Sequence, residues 1–94
     1  MVSRKILNDK KKTLLLKAIG EVVKEKRKEL NKGILLLSYE YEISNTSLAQ
    51  LEKGTRDVQI STVWKIANAF GMDFSDFIKE VENRLPKGFK LLED

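Results

Sequence analysis

Between residues 13 and 85 the apolar side chains recur at three- and four-residue spacing. Stop signals cut that pattern at Asn31–Gly33, Gly54 and Gly71, and Pro86, the only proline, closes it. This punctuation allows only short helices, each with one apolar face that must pack on the others. Residues 13–30, TLLLKAIGEVVKEKRKEL, place Leu15, Ile19, Val22, Val23 and Leu30 on one stripe, with charges mostly opposite. Residues 60–70 carry Ile60, Val63, Ile66, Ala67 and Phe70 at helical spacing. A last helix opens with Asp73 as N-cap and shows Phe74, Phe77, Ile78, Val81 and Leu85 on its apolar face. Residues 39–43, YEYEI, alternate like a strand. No convincing second strand is present to pair with them, and a lone strand is not stable, so this segment reads as helix. The expected fold is all-α with five helices. It divides into a basic N-terminal arm (1–12), a helical body (13–85) and a C-terminal tail (86–94).

The most specific stretch is residues 43–54, ISNTSLAQLEKG. Ser44 can cap a helix here and Gly54 can end it. The outer positions, Asn45, Thr46, Ala49, Gln50 and Lys53, fall at offsets 0, 1, 4, 5 and 8 and form one stripe. They are small or amide-bearing rather than the long charged residues of an ordinary solvated face. A helix lying close in the major groove of DNA needs small side chains near its start. Asn and Gln can bond bidentately to adenine, and Lys reaches guanine or phosphate.

Composition narrows the function classes. The chain has 94 residues, no cysteine and no histidine. It therefore cannot build a Ser-His-Asp triad, a Cys-His pair or a conventional Cys/His zinc site. No catalytic constellation is visible, so neither an enzyme nor a cofactor is expected. No apolar run is long enough to span a membrane, and the first residues lack the pattern of a signal peptide. A cytoplasmic protein is the expectation. The net charge is +4 and unevenly spread: residues 1–33 hold 11 Lys/Arg against 4 Asp/Glu, and residues 34–94 hold 7 against 10. A basic front suits attraction to a polyanion, though runs such as NDKKK also simply solubilise a tail.

Residues 34–41 and 44–53 are joined by a very tight turn, and Ser38, Glu42, Ile43 and Leu48 sit at the key positions of a helix-turn-helix. Ser38 supplies the small residue where the second helix crosses the first. Ile43 plugs the turn, and Leu48 with Leu51 packs the second helix inward. Residues 19–30 and 43–72 together resemble the phage-repressor, or Cro/Xre-like, helix-turn-helix family. The segment TVWKIANAFGM resembles that family's T-L-x-x-I-A-x-A-L-G-V run, and Glu52-Lys53-Gly54 its E-x-G close to the recognition helix. The resemblance covers about 65 residues, from roughly 14 to 78.

The resemblance implies a five-helix, lambda-repressor-like fold and a sequence-specific transcriptional regulator of bacterial or phage type. Asn45, Thr46, Ala49 and Gln50 are then expected to read bases. Lys53, Thr55 and Arg56 would mostly hold the DNA backbone. It also implies that Glu52 pairs with a first-helix arginine, and Arg27 stands at the matching place. Three departures stand out. Gly33 and Ile34 replace the family's Ser-Gln at the start of the second helix, removing a phosphate contact. Glu42 replaces the turn glycine, which leaves the turn strained or slightly different. Val58 replaces a proline.

Several features stay outside this core reading. Some of Ile34, Leu35 and Leu36 should be exposed, where they would touch thymine methyls or another protein unless Ile6 and Leu7 cover them. Arg4, Lys5, Lys10, Lys11 and Lys12 would form an arm along phosphates or into a minor groove, or else a soluble tail. Trp64 should pack on the C-terminal helix. Phe74, Phe77, Ile78, Val81, Leu85 and the tail's Phe89, Leu91 and Leu92 offer more apolar surface than one helix needs. A homodimer through this end, on an inverted-repeat operator in double-stranded DNA, is the expectation. The other possibility is that the tail covers its own core. The competing function is a protein-interaction module on the same fold, such as an antitoxin-like subunit. The thin positive charge of residues 34–54, Lys53 against Glu40, Glu42 and Glu52, favours that alternative.

Overall fold

The computed structural model describes residues 2–92, with side chains from Lys10 onward. Five helices follow in order: α1 (Val2–Glu29), α2 (Ile34–Glu40), α3 (Asn45–Lys53), α4 (Ile60–Ala69) and α5 (Phe74–Asn83). No strand occurs among the described residues, and YEYE belongs to α2 and the turn after it. No described helix is long and apolar enough to cross a membrane. The main departure is α1, which begins at Val2 rather than near residue 13. Neither glycine nor proline interrupts residues 2–13, so the backbone has no reason to break there. The side chains of Arg4, Lys5, Ile6 and Leu7 lie outside the described residues.

The core is built from all five helices. Ala18, Ile19, Val22 and Val23 of α1 meet Leu37 of α2, Leu48 and Leu51 of α3, Val63, Ile66 and Ala67 of α4, and Phe77 and Val81 of α5. Helix α1 packs on α3 and α5, α2 on α3, and α4 on α5. Two expected core residues are exposed, for positional reasons. Leu30 lies past the end of α1, and Ile60 is the first residue of α4.

The α1–α3 crossing depends on one glycine. A Cβ on Gly20 would stand 2.4 Å from the Glu52 carbonyl oxygen and 2.5 Å from that of Leu51. No real Cβ tolerates that distance, so only glycine permits this approach. Gly54 closes α3 with φ +68°, and its Cα faces the Lys17 backbone so closely that a Cβ would lie 2.8 Å from the Lys17 Cα.

The far end of the molecule corrects the expected dimer face. Phe77 is 0% and Val81 2% exposed, so both are consumed by the chain's own core and unavailable to a second copy. Phe74, Ile78 and Leu85 are half-buried against that core. Trp64 stacks on Phe74, with ring centroids 4.5 Å apart and planes 7° from parallel. The tail turns back after Pro86, where the Phe89 amide donates to the Pro86 carbonyl at 3.0 Å. Leu91 and Leu92 then reach an apolar hollow beside Leu15 and Leu16 of α1. Asp73 occupies the N-cap position of α5, but its side chain makes no capping hydrogen bond.

Candidate nucleic-acid interface

Helices α2 and α3 are joined by four residues, Tyr41–Ser44. The Ile43 amide donates to the Ser38 carbonyl at 3.0 Å, which folds the turn back onto α2. Ser38 and Leu37 are the two buried residues of α2, so a small side chain does sit at the crossing. Glu42 takes φ +53°, the left-handed conformation in which glycine is ordinarily used. Of the two outcomes expected from its presence, strain is the one realised. Ser44 then caps α3: its Oγ accepts from the Ser47 amide at 3.1 Å. At the start of α2, Gly33 offers no side-chain cap, and Ile34 packs partly against the core.

Helix α3 is held from behind by an ion pair. Arg27 Nε donates to Glu52 Oε2 at 2.6 Å and Nη2 to Oε1 at 2.9 Å. The two side chains are 11% and 6% exposed. Arg27 Nη1 also donates to the Lys32 carbonyl at 2.9 Å, so one guanidinium ties the end of α1, the following turn and α3 together. The hydrogen bond that Arg27 donates to Glu52 raises the Arg27 pKa above its ordinary value, with burial opposing.

The outer face of α3 is arranged as the spacing predicts. Asn45, Thr46, Ala49, Gln50 and Lys53 all line one shallow groove, with Ile34 and Leu35 of α2 along its other side. Among the described residues, no carboxylate lines it. Two of the three acids counted against positive charge in residues 34–54 are neutralised from outside that window. Glu52 is taken by Arg27, and Glu40 pairs with Lys32. Glu40 raises the Lys32 pKa, chiefly through that hydrogen bond. A count along the chain therefore understates the positive character of this surface.

The loop after α3 behaves differently from a simple backbone clamp. Arg56 Nη1 donates to Gln50 Oε1 at 3.0 Å. Arginine has donors only, so the amide oxygen must face it, and the Gln50 NH2 group is left for other partners. Thr55 Oγ1 lies 3.4 Å from the Gln50 carbonyl, a weak cap on the end of α3. Both loop residues thus converge on Gln50.

Sequence reasoning missed Gly20, the Arg27–Lys32 bond and the Arg56–Gln50 contact. Only Gly20 left a visible sign, as an isolated glycine inside a helical stripe.

The family described as Helix-turn-helix, of the Cro/C1 type, matches residues 23–77. Among solved structures, the clp gene regulator ClgR from Corynebacterium glutamicum superposes with a TM-score of 0.67. Identity is 22%, and 73% of each chain is covered, so this likeness is one of fold. No curated protein matches the chain.

Proposed function

We propose, from a chain that belongs to the Cro/C1-type helix-turn-helix family, that this protein is a sequence-specific regulator that binds an inverted-repeat operator as a homodimer. Membership of the family carries the coarser part, a DNA-binding domain of a transcriptional regulator. The finer part rests on one observation: the α3 stripe lines a groove free of carboxylates and is braced behind by Arg27–Glu52. In this reading Asn45, Thr46, Ala49 and Gln50 read base edges in the major groove. Lys53 holds phosphate, the α3 N-terminus favours negative charge, and Thr55 and Arg56 support the end of the helix.

One α3 helix reaches only a few base pairs, which argues for two copies on a palindromic site. The half-exposed Trp64–Phe74 stack, Ile78 and Leu85 are the apolar groups left at the expected dimer end once Phe77 and Val81 are buried. The interaction-module alternative has a weaker charge argument once Glu40 and Glu52 are paired, with Lys53 then set against Glu42 alone.

The test is selection of bound duplexes from a random pool. Enrichment of an inverted repeat, with half-site centres about one helical turn (~10 base pairs) or a multiple apart, supports the dimeric regulator. A pool that stays random despite binding at low salt refutes base reading. Enrichment of a single half-site refutes the dimer alone.

A further inference from the structure

The outward face of α2 departs from what a DNA-binding helix pair requires for solubility. Leu35 is 70% exposed at the second residue of that helix, with nothing among the described residues covering it. It faces the α3 stripe across the groove, with Ile34 beside it and Ala49 opposite. Among the described residues, the groove thus has an aliphatic wall, an amide and hydroxyl wall, a lysine, and no acid.

We infer that Leu35, backed by Ile34 and Ala49, is a methyl-reading subsite that packs the C5-methyl of a thymine in the major groove. This rests on the base-reading function proposed above. Thymine is the DNA base that carries a methyl in the major groove, and its adenine partner presents N7 and N6 on the same pair. One A·T pair therefore offers an apolar contact for Leu35 beside a donor–acceptor edge for Asn45 or Gln50. Lys53 on the same groove complements the polyanion that brings the methyl there. Leu36 and Tyr39, exposed at offsets 1 and 4 from Leu35, extend an apolar surface along α2, but only Ile34 and Leu35 of that helix line the groove that holds the α3 stripe and Lys53.

The experiment uses the duplex enriched by selection, with its thymines replaced one at a time by deoxyuridine. This removes the methyl and keeps the pairing and the groove acceptors. The full chain should lose about fourfold in affinity at one thymine of a half-site, as expected for one buried methyl-sized group. Leu35→Ala should bind the thymine duplex about as weakly as the intact chain binds its uracil counterpart, and should no longer distinguish the two. The variant's thermal melt, unchanged because Leu35 is exposed, shows that the fold is intact. Uracil replacements without effect, or a full penalty retained in Leu35→Ala, would overturn the subsite while leaving base reading in place. Self-association lost in Leu35→Ala without a change in uracil sensitivity would identify a protein contact and likewise overturn it. A pool with no enriched duplex would remove base reading itself, and the subsite with it.

Discussion

Glu52, the penultimate residue of α3, gives both carboxylate oxygens to Arg27 of α1, at 2.6 and 2.9 Å. The pair is buried on both sides, so removing one partner leaves the other charged and desolvated. Arg27→Ala or Glu52→Ala should each cost about 3 kcal/mol in chemical denaturation. Replacing both, as Arg27→Met with Glu52→Leu, should recover a large part of that loss. A double variant as unstable as the sum of the single ones would show that the pair acts through something other than charge.

Gly20 sets how closely α3 approaches α1. Gly20→Ala adds helix propensity to α1, worth about 1 kcal/mol in its favour. The new Cβ nevertheless meets the Glu52 and Leu51 carbonyls, which are backbone and cannot rotate away. The clash should dominate, with a net loss of about 2 kcal/mol in a urea melt. A stabilised Gly20→Ala variant would mean that the helices cross farther apart.

Glu42 carries the opposite expectation. Its φ of +53° costs a non-glycine residue about 1–2 kcal/mol, part of which glycine returns as entropy of the unfolded chain. Glu42→Gly should therefore stabilise the domain by about 0.5–1 kcal/mol. The same substitution removes an exposed negative charge near α3, so DNA affinity at low salt should rise as well. Destabilisation would contradict the left-handed turn.

These three positions also show what a linear reading can and cannot reach. Periodicity, caps and glycine stops located α3 to α5 within a residue or two, because each of those helices announces its own face and end, whereas α2 was reached only by the lack of a partner strand. Arg27–Glu52 was legible through a family pattern of spacing. The start of α1 was not, because the polar run NDKKK at residues 8–12 interrupts its apolar pattern. The role of Gly20 lies in a backbone–backbone distance between two helices, which no single helix encodes. The burial of Phe77 and Val81 was misread because an apolar face does not reveal whether its cover is the same chain or a second copy. Arg56–Gln50 joins two exposed side chains across the helix end, and only the loop's path brings them together.

Acid should weaken the link between α1 and α5. Arg84 Nη2 donates to Glu25 Oε2 at 2.6 Å, and that hydrogen bond, with the arginine's charge, holds the Glu25 pKa below its ordinary value. A carboxylate depressed in the folded state stabilises above its unfolded pKa, about 4, and loses that contribution as pH falls through the lower folded value. The pair is exposed, so the effect is small and salt-sensitive. Arg84→Ala should melt slightly lower than the parent chain at pH 7, and the gap should close as pH falls through the lowered Glu25 value. A gap that persists in strong acid would assign Arg84 a packing role instead.

The most direct measurement compares the affinity of the parent chain, Asn45→Ala and Gln50→Ala for the selected operator and for a scrambled duplex, across a salt series. If the α3 stripe reads bases, each substitution should reduce the preference for the operator by about fivefold or more, as expected for loss of a base contact worth about 1–3 kcal/mol. Affinity for the scrambled duplex and its salt slope should hold, because phosphate contacts are untouched. Variants that keep the full operator preference, or that weaken both duplexes equally, would contradict a reading role for that face.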